Sequence, residues 1–154
     1  MSTDNKLVLA SANPGKIKEL QQMLDQLGIE VIPQTELNIP DIEETGLSFV
    51  ENSILKARNA AALSGLPAIA DDSGLEVDYL QGAPGIYSAR FAGANATDAS
   101  NRDKLLEQLA GVPAEQRTAR YQTVIVYMRH ADDPTPIICQ GTWEGSIACD
   151  EKGD

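Results

Sequence analysis

Asp71 and Asp72 stand side by side after the apolar run 67–70 and before Ser73-Gly74. Adjacent carboxylates repel each other unless a cation, donor groups or water compensate. Mg²⁺ takes one or two carboxylates together with waters and the phosphate oxygens of a substrate. A carboxylate beside such a metal can also accept a proton from an attacking water. Glu43-Glu44 precedes a helical stretch and could bring another carboxylate to the same place. On spacing alone these residues also describe a solvated Asp-Asp-Ser-Gly turn and exposed acids on the approach to a helix.

A second chemistry-bearing segment is Leu9-Ala-Ser-Ala-Asn-Pro-Gly-Lys16, running from a strand end into a helix start. Backbone N–H groups at such a junction form a natural anion site, and Ser11 and Asn13 add side-chain donors. Lys16 falls in the first helical turn, where the helix dipole disfavours a cation, and Gly15 is a poor helix former in the same turn. Two locally unfavourable choices beside an anion-binding backbone point to a triphosphate cradle. The segment is not a Walker A loop, and a capped surface helix with a solvated lysine fits the same residues. Lys56 could hold a phosphate oxygen or be an ordinary solvated helix lysine. Arg90 follows Gly82-Ala-Pro-Gly-Ile-Tyr-Ser-Ala89, a loop with the bends of a ligand clamp or of a structural turn. His130, the only histidine, is assigned no role. Trp143 and Tyr127 are expected in core or hairpin packing.

The elements that must position these residues follow from periodicity. Lys6–Ala10 reads as a buried strand. A helix opens at Asn13-Pro14, a favoured cap and first position. Its apolar face is Ile17, Leu20, Met23, Leu24 and Leu27, and Gly28 ends it. Ile29–Pro33 is a second strand. Thr45–Ser64 holds the next helix, with Ser48 and Glu51 at capping-box spacing. Val50, Ile54, Ala57 and Ala61 form its apolar stripe; Asn52, Lys56 and Asn59 form a polar one. Pro67–Ala70 is a short strand. Thr97 caps a third helix that turns Leu105, Leu106 and Leu109 inward and stops at Gly111-Val-Pro113. Arg120–Arg129 is a strand. Ile137–Gly141 and Gly145–Cys149 read as a hairpin joined through Thr142-Trp143-Glu144. Alternating helices and strands followed by clustered strands indicate one α/β domain, 1–154, with a mixed sheet.

The chain has 154 residues, 42% of them hydrophobic, with 12 Lys+Arg against 23 Asp+Glu for a net charge of −11. Such a surface repels a nucleic-acid backbone, so no nucleic-acid partner is expected. No run approaches the length of a membrane helix, and the start at Met1 does not read as a signal peptide. A cytoplasmic protein is expected. Cys139 and Cys149 match no metal or redox spacing. They are expected to be reduced packing residues that could face each other across the hairpin.

In combination, Leu9–Lys16, Glu44-Thr-Gly-Leu-Ser-Phe-Val-Glu-Asn52 with Lys56, Ala70-Asp-Asp-Ser-Gly-Leu75 and Gly82–Arg90 occur in an order that closely resembles the Ham1/RdgB family of purine nucleoside triphosphate pyrophosphatases, in its bacterial form. The resemblance implies a two-lobed α/β fold with a long mixed sheet flanked by helices, in homodimers. It also implies Mg²⁺-dependent hydrolysis of ITP, dITP and XTP to the monophosphate and pyrophosphate. By motif position Ser11, Asn13 and Lys16 would bind phosphates, and Ser73 and Lys56 would contact substrate. Glu44 and Asp72 would hold Mg²⁺, with Asp72 the proton acceptor. Asp71 and Arg90 would support the site. Family members continue with a Phe-Gly-Tyr/Trp-Asp stretch, a lysine and a Ser-His-Arg stretch that read the base. The chain is therefore expected to be a C-terminally shortened form. That leaves open a triphosphate-binding remnant without catalysis. A related Maf-type pyrophosphatase is a third reading, against which the Ser-x-Asn-x-x-Lys and Ala-Asp-Asp-Ser-Gly-Leu segments argue.

Overall fold

Asn13 starts the first helix by accepting hydrogen bonds from the backbone of Gly15 (2.9 Å) and Lys16 (3.4 Å) through Oδ1. The computed structural model, which describes residues 5–152, orders the elements as follows. They are β1 (Lys6–Leu9), α1 (Pro14–Asp25), β2 (Glu30–Pro33), α2 (Phe49–Ser64), β3 (Ala68–Val77), α3 (Asp98–Gln108), β4 (Thr118–Met128) and β5 (Ile137–Ser146). The sheet runs β2-β1-β3-β4-β5. β1 lies parallel to both β2 and β3, with Leu7 opposite Val31 and Val8 opposite Ala68. The α/β expectation with a mixed sheet is met. The reading of the start at Met1 and the last residues of the chain lie at 1–4 and 153–154, outside the described residues.

The chain divides into two compact units. The first comprises Met1–Asp72 and Val124–Cys139. Its core joins Val8, Ala10, Ala68, Ala70, Val124, Val126 and Met128 of the sheet to Ala57, Ala60 and Ala61 of α2. The three alanines leave little between helix and sheet, and all are at most 3% exposed. The second unit comprises Ser73–Thr123 and Gln140–Asp154, with a core of Val77, Leu109, Val112 and Ala119. There α3 begins in a capping box in which Thr97 and Ser100 bond each other's backbone. Arg117, 3% exposed, donates to the carbonyls of Leu109, Val112, Ile147 and Ala148. A buried guanidinium is tolerated because each of its three nitrogens meets a carbonyl oxygen.

Several expectations are corrected. Asp71-Asp72-Ser73-Gly74 is not a turn but the middle of β3. The apolar residues on both sides continue one strand, and ladder pairing outweighs local turn preference. The stretch 137–149 is not a hairpin. β5 runs unbroken through Trp143, held by Thr142 Oγ1 donating to Gln122 Oε1 (2.7 Å) and Arg120 Nε donating to Glu144 Oε1 (2.9 Å). Cys139 and Cys149 are both free and exposed, so they neither pack nor pair. Trp143 is 76% exposed on this strand and joins neither core cluster. α1 ends at Asp25, before Gly28, and Met23 and Leu27 are exposed. That helix is secured instead by Gln21, which accepts from Val31 N (2.9 Å) and donates to Ile29 O (3.2 Å). α2 starts at Phe49 because Ser48 is its cap, accepting from Glu51 N.

Candidate active site

Side chains in a strand alternate between faces, so residues two apart share one. In β3 this period puts Asp72 on the same buried side as Ala68 and Ala70, and leaves Asp71 on the other. Asp72 is accordingly 8% exposed. The strand therefore carries a carboxylate at the rim of an apolar core, where a charge costs free energy unless it is compensated.

Two lysines surround this carboxylate and its neighbours, and Lys56 provides part of that compensation. Lys16 Nζ lies 2.6 Å from Asp71 Oδ2. Lys56, two turns inside α2, donates to the Asp71 carbonyl at 2.5 Å and pairs with Glu44 Oε1 at 3.1 Å and Asp72 Oδ1 at 3.7 Å. The structure thus brings Lys16, Glu44, Lys56, Asp71 and Asp72 together within the first unit. Glu43 is exposed and joins none of these contacts. At the start of α1, the oxygens of Ser11 and Asn13 fold the loop itself: Ser11 Oγ accepts from Asn13 N at 3.1 Å. The backbone N–H groups of Asn13, Gly15 and Lys16 are therefore bonded locally rather than left open, as the sequence reading had them.

The compensation is incomplete at one atom. Asp72 Oδ2 is buried and, among the described residues, is the single buried side-chain oxygen or nitrogen with no hydrogen-bond partner. Burial pushes the Asp72 carboxyl above its ordinary value; Lys56 pulls it down, Glu44 pushes it up, Asn52 pulls it down and Asp71 pushes it up. An orphaned, desolvated carboxylate oxygen is what a hard cation would satisfy.

Ser73 and Arg90 belong to the second unit. Ser73 follows Asp72 on β3, exposed, with its hydroxyl 3.4 Å from Thr123 Oγ1. Arg90 ends a short 3₁₀ turn, Gly85–Arg90, and its guanidinium lies over the Tyr87 ring at 5.2 Å. A concavity of about 370 Å³ in this unit is lined in part by Ser73, Leu75, Phe91, Asn101 and Tyr121. His130 accepts from Asp132 N at a solvent-exposed turn.

The sequence reading missed the environment of Asn52. It placed Asn52 on a polar stripe with Lys56, but the residue is fully buried. Its position four residues before Lys56 shows that the two share a helix face, but not that this face is buried.

The Ham1 family model matches residues 7–154. The chain belongs to the Ham1 family. It is 59% identical over 150 residues to the dITP/XTP pyrophosphatase of Photobacterium profundum, spanning 97% of this chain and 76% of that protein. It is 58% identical to the dITP/XTP pyrophosphatase of Salmonella typhimurium, with the same 97% and 76% covered. Among solved structures, a HAM1 protein from Coxiella burnetii superposes with a TM-score of 0.91 at 52% identity, over 96% of this chain and 75% of that one. The Ham1 protein of Staphylococcus aureus gives 0.85 at 41% identity, over 97% and 75%.

Proposed function

We propose that this chain hydrolyses purine nucleoside triphosphates carrying a non-standard base (dITP, XTP and ITP) to the monophosphate and pyrophosphate, removing them from the nucleotide pool. The reading is carried by the 2.6 Å ion pair between Lys16 and Asp71, which joins the lysine of the βα loop to the paired aspartates. The names of the relatives favour catalysis over a binding remnant.

The residues present fit a divalent cation. Asp72 Oδ2 lacks a partner, and the donors on offer are hard carboxylate oxygens. Among the described residues no group of three or more His, Cys, Asp or Glu could hold a metal ion by itself. Mg²⁺ takes one or two carboxylates together with waters and substrate phosphates. Glu44 and Asp72 are the residues that would hold it. When bound, Mg²⁺ supplies charge stabilisation at the phosphate oxygens.

Lys16 exchanges Asp71 for a β- or γ-phosphate oxygen, and Ser11 and Asn13 orient the same group. Lys56 stays on the Asp71 carbonyl and offsets the charge of Glu44 and Asp72. Water adds to the α-phosphorus, its proton passes to an Asp72 oxygen, and the bond to the pyrophosphate oxygen breaks. By motif position Ser73 would contact the substrate and Arg90 would support it. Most of the rate gain comes from placement and charge stabilisation.

The test is a panel of dITP, XTP, ITP, dATP, dTTP and UTP with Mg²⁺, scored for pyrophosphate and monophosphate. Pyrophosphate from dITP and XTP ahead of dATP supports the reading. Triphosphate binding without pyrophosphate release contradicts it, as does preference for dTTP or UTP. Among the described residues no helix is long and apolar enough to cross a membrane. We place the enzyme in the cytoplasm as a homodimer without a nucleic-acid partner, the assembly to be checked by sedimentation.

A further inference from the structure

We propose that Asn52 is a positioning residue that sets the separation of Glu44 and Asp72, and so the cation affinity of the site. This rests on the functional reading above. Asn52 is fully buried in the first turn of α2. Its amide grips one peptide from both sides: Oδ1 accepts from Gly46 N at 2.8 Å, and Nδ2 donates to Gly46 O at 3.4 Å. Gly46 is two residues from Glu44, so this grip fixes the segment that delivers the Glu44 carboxylate to Lys56. The fit leaves no room for a side chain. A Cβ on Gly46 would stand 2.6 Å from Asn52 Oδ1 and 2.6 Å from Glu51 Cβ.

The same helix also reaches the other carboxylate. One turn further along α2 on the same face, Lys56 spans Glu44 and Asp72. A single helix face therefore carries both the amide that anchors the Glu44 segment and the ammonium that bridges the two carboxylates. Partners behind metal-binding side chains commonly govern affinity through orientation alone.

The neighbouring Ser53 provides the control. It is equally buried on α2, but its hydroxyl donates to the Val124 carbonyl in the sheet rather than to the Gly46 peptide (3.0 Å). The experiment titrates the full chain with Mn²⁺ alone, reading free ion by electron paramagnetic resonance, and records thermal unfolding beside it. Asn52→Ala is expected to weaken Mn²⁺ binding by about tenfold or more. Gly46→Ala, which drives Asn52 off its partner, is expected to do the same. Ser53→Ala should lower the unfolding temperature and leave Mn²⁺ affinity unchanged. Wild-type affinity in Asn52→Ala or in Gly46→Ala, or equal weakening in Ser53→Ala, overturns the assignment while the site stands. A wild-type chain that binds no Mn²⁺ overturns the site and this assignment together.

Discussion

Two aspartates of the first unit are buried to similar degrees and treated in opposite ways. Asp133, 2% exposed in the turn after β4, receives four hydrogen bonds: Arg129 Nε and N on Oδ2, and Arg129 Nη2 and Thr135 N on Oδ1. Its carboxyl is held well below the ordinary 3.8, first by the Arg129 side-chain bonds, against the opposing push of burial. Asp72, 8% exposed in β3, has one long ion pair at 3.7 Å and an oxygen with no partner, and burial raises it. One carboxylate is finished by the protein and stabilises it. The other is left for something outside the chain to finish. Burial alone does not separate a structural acid from a functional one; the count of donors does.

The comparison is broken most severely at Asp72. Asp72→Asn should lower pyrophosphate release by about a thousandfold or more, the scale of a lost proton acceptor. Its unfolding temperature at pH 7 should rise, because a carboxyl whose folded pKa is raised costs stability while it is ionised. A lowered unfolding temperature together with retained turnover would make Asp72 a second Asp133. Lys16→Ala should raise KM for the triphosphate by about tenfold, through loss of a phosphate partner. Stability should hardly change, since the exposed Lys16–Asp71 pair contributes about 1 kcal/mol at most.

Asp133→Asn sharpens the comparison from the other side. Stability at pH 7 should fall with kcat and KM unchanged. The sign follows from the depressed pKa. Asp133 contributes stability above its unfolded value, and that contribution drains away as pH falls through the lower folded value. The variant should therefore show a flatter acid limb in unfolding temperature against pH. Thr135→Val removes only the 2.7 Å bond between Thr135 Oγ1 and Arg129 Nη2 at the exposed edge of the cluster. About 0.5–1 kcal/mol is expected from urea unfolding.

Much of this was legible before any coordinates. The caps at Asn13, Ser48 and Thr97 and the three helices follow from local chemistry, as does the strand at Lys6–Leu9. The pairing of a Lys16 loop with Asp71 was inferable as chemistry but not as distance, because parallel pairing of β1 with β3 joins residues far apart in sequence. The Asp71–Gly74 strand was hidden by turn-forming residue types, whose preference is local while the ladder that overrides it is not. Asn52 was hidden because a helical period marks which residues share a face, not whether a polar face is buried. The unbroken β5 was hidden by two glycines that resemble turn residues yet lie within an extended strand.

The central claim is that Asp72 is left incomplete for catalysis while Asp133 is completed for structure. Pyrophosphate release from dITP with Mg²⁺ should be measured side by side for the wild-type chain, Asp72→Asn and Asp133→Asn. The account predicts turnover in the wild type and in Asp133→Asn, and its loss in a folded Asp72→Asn. Equal turnover in the two variants would contradict it.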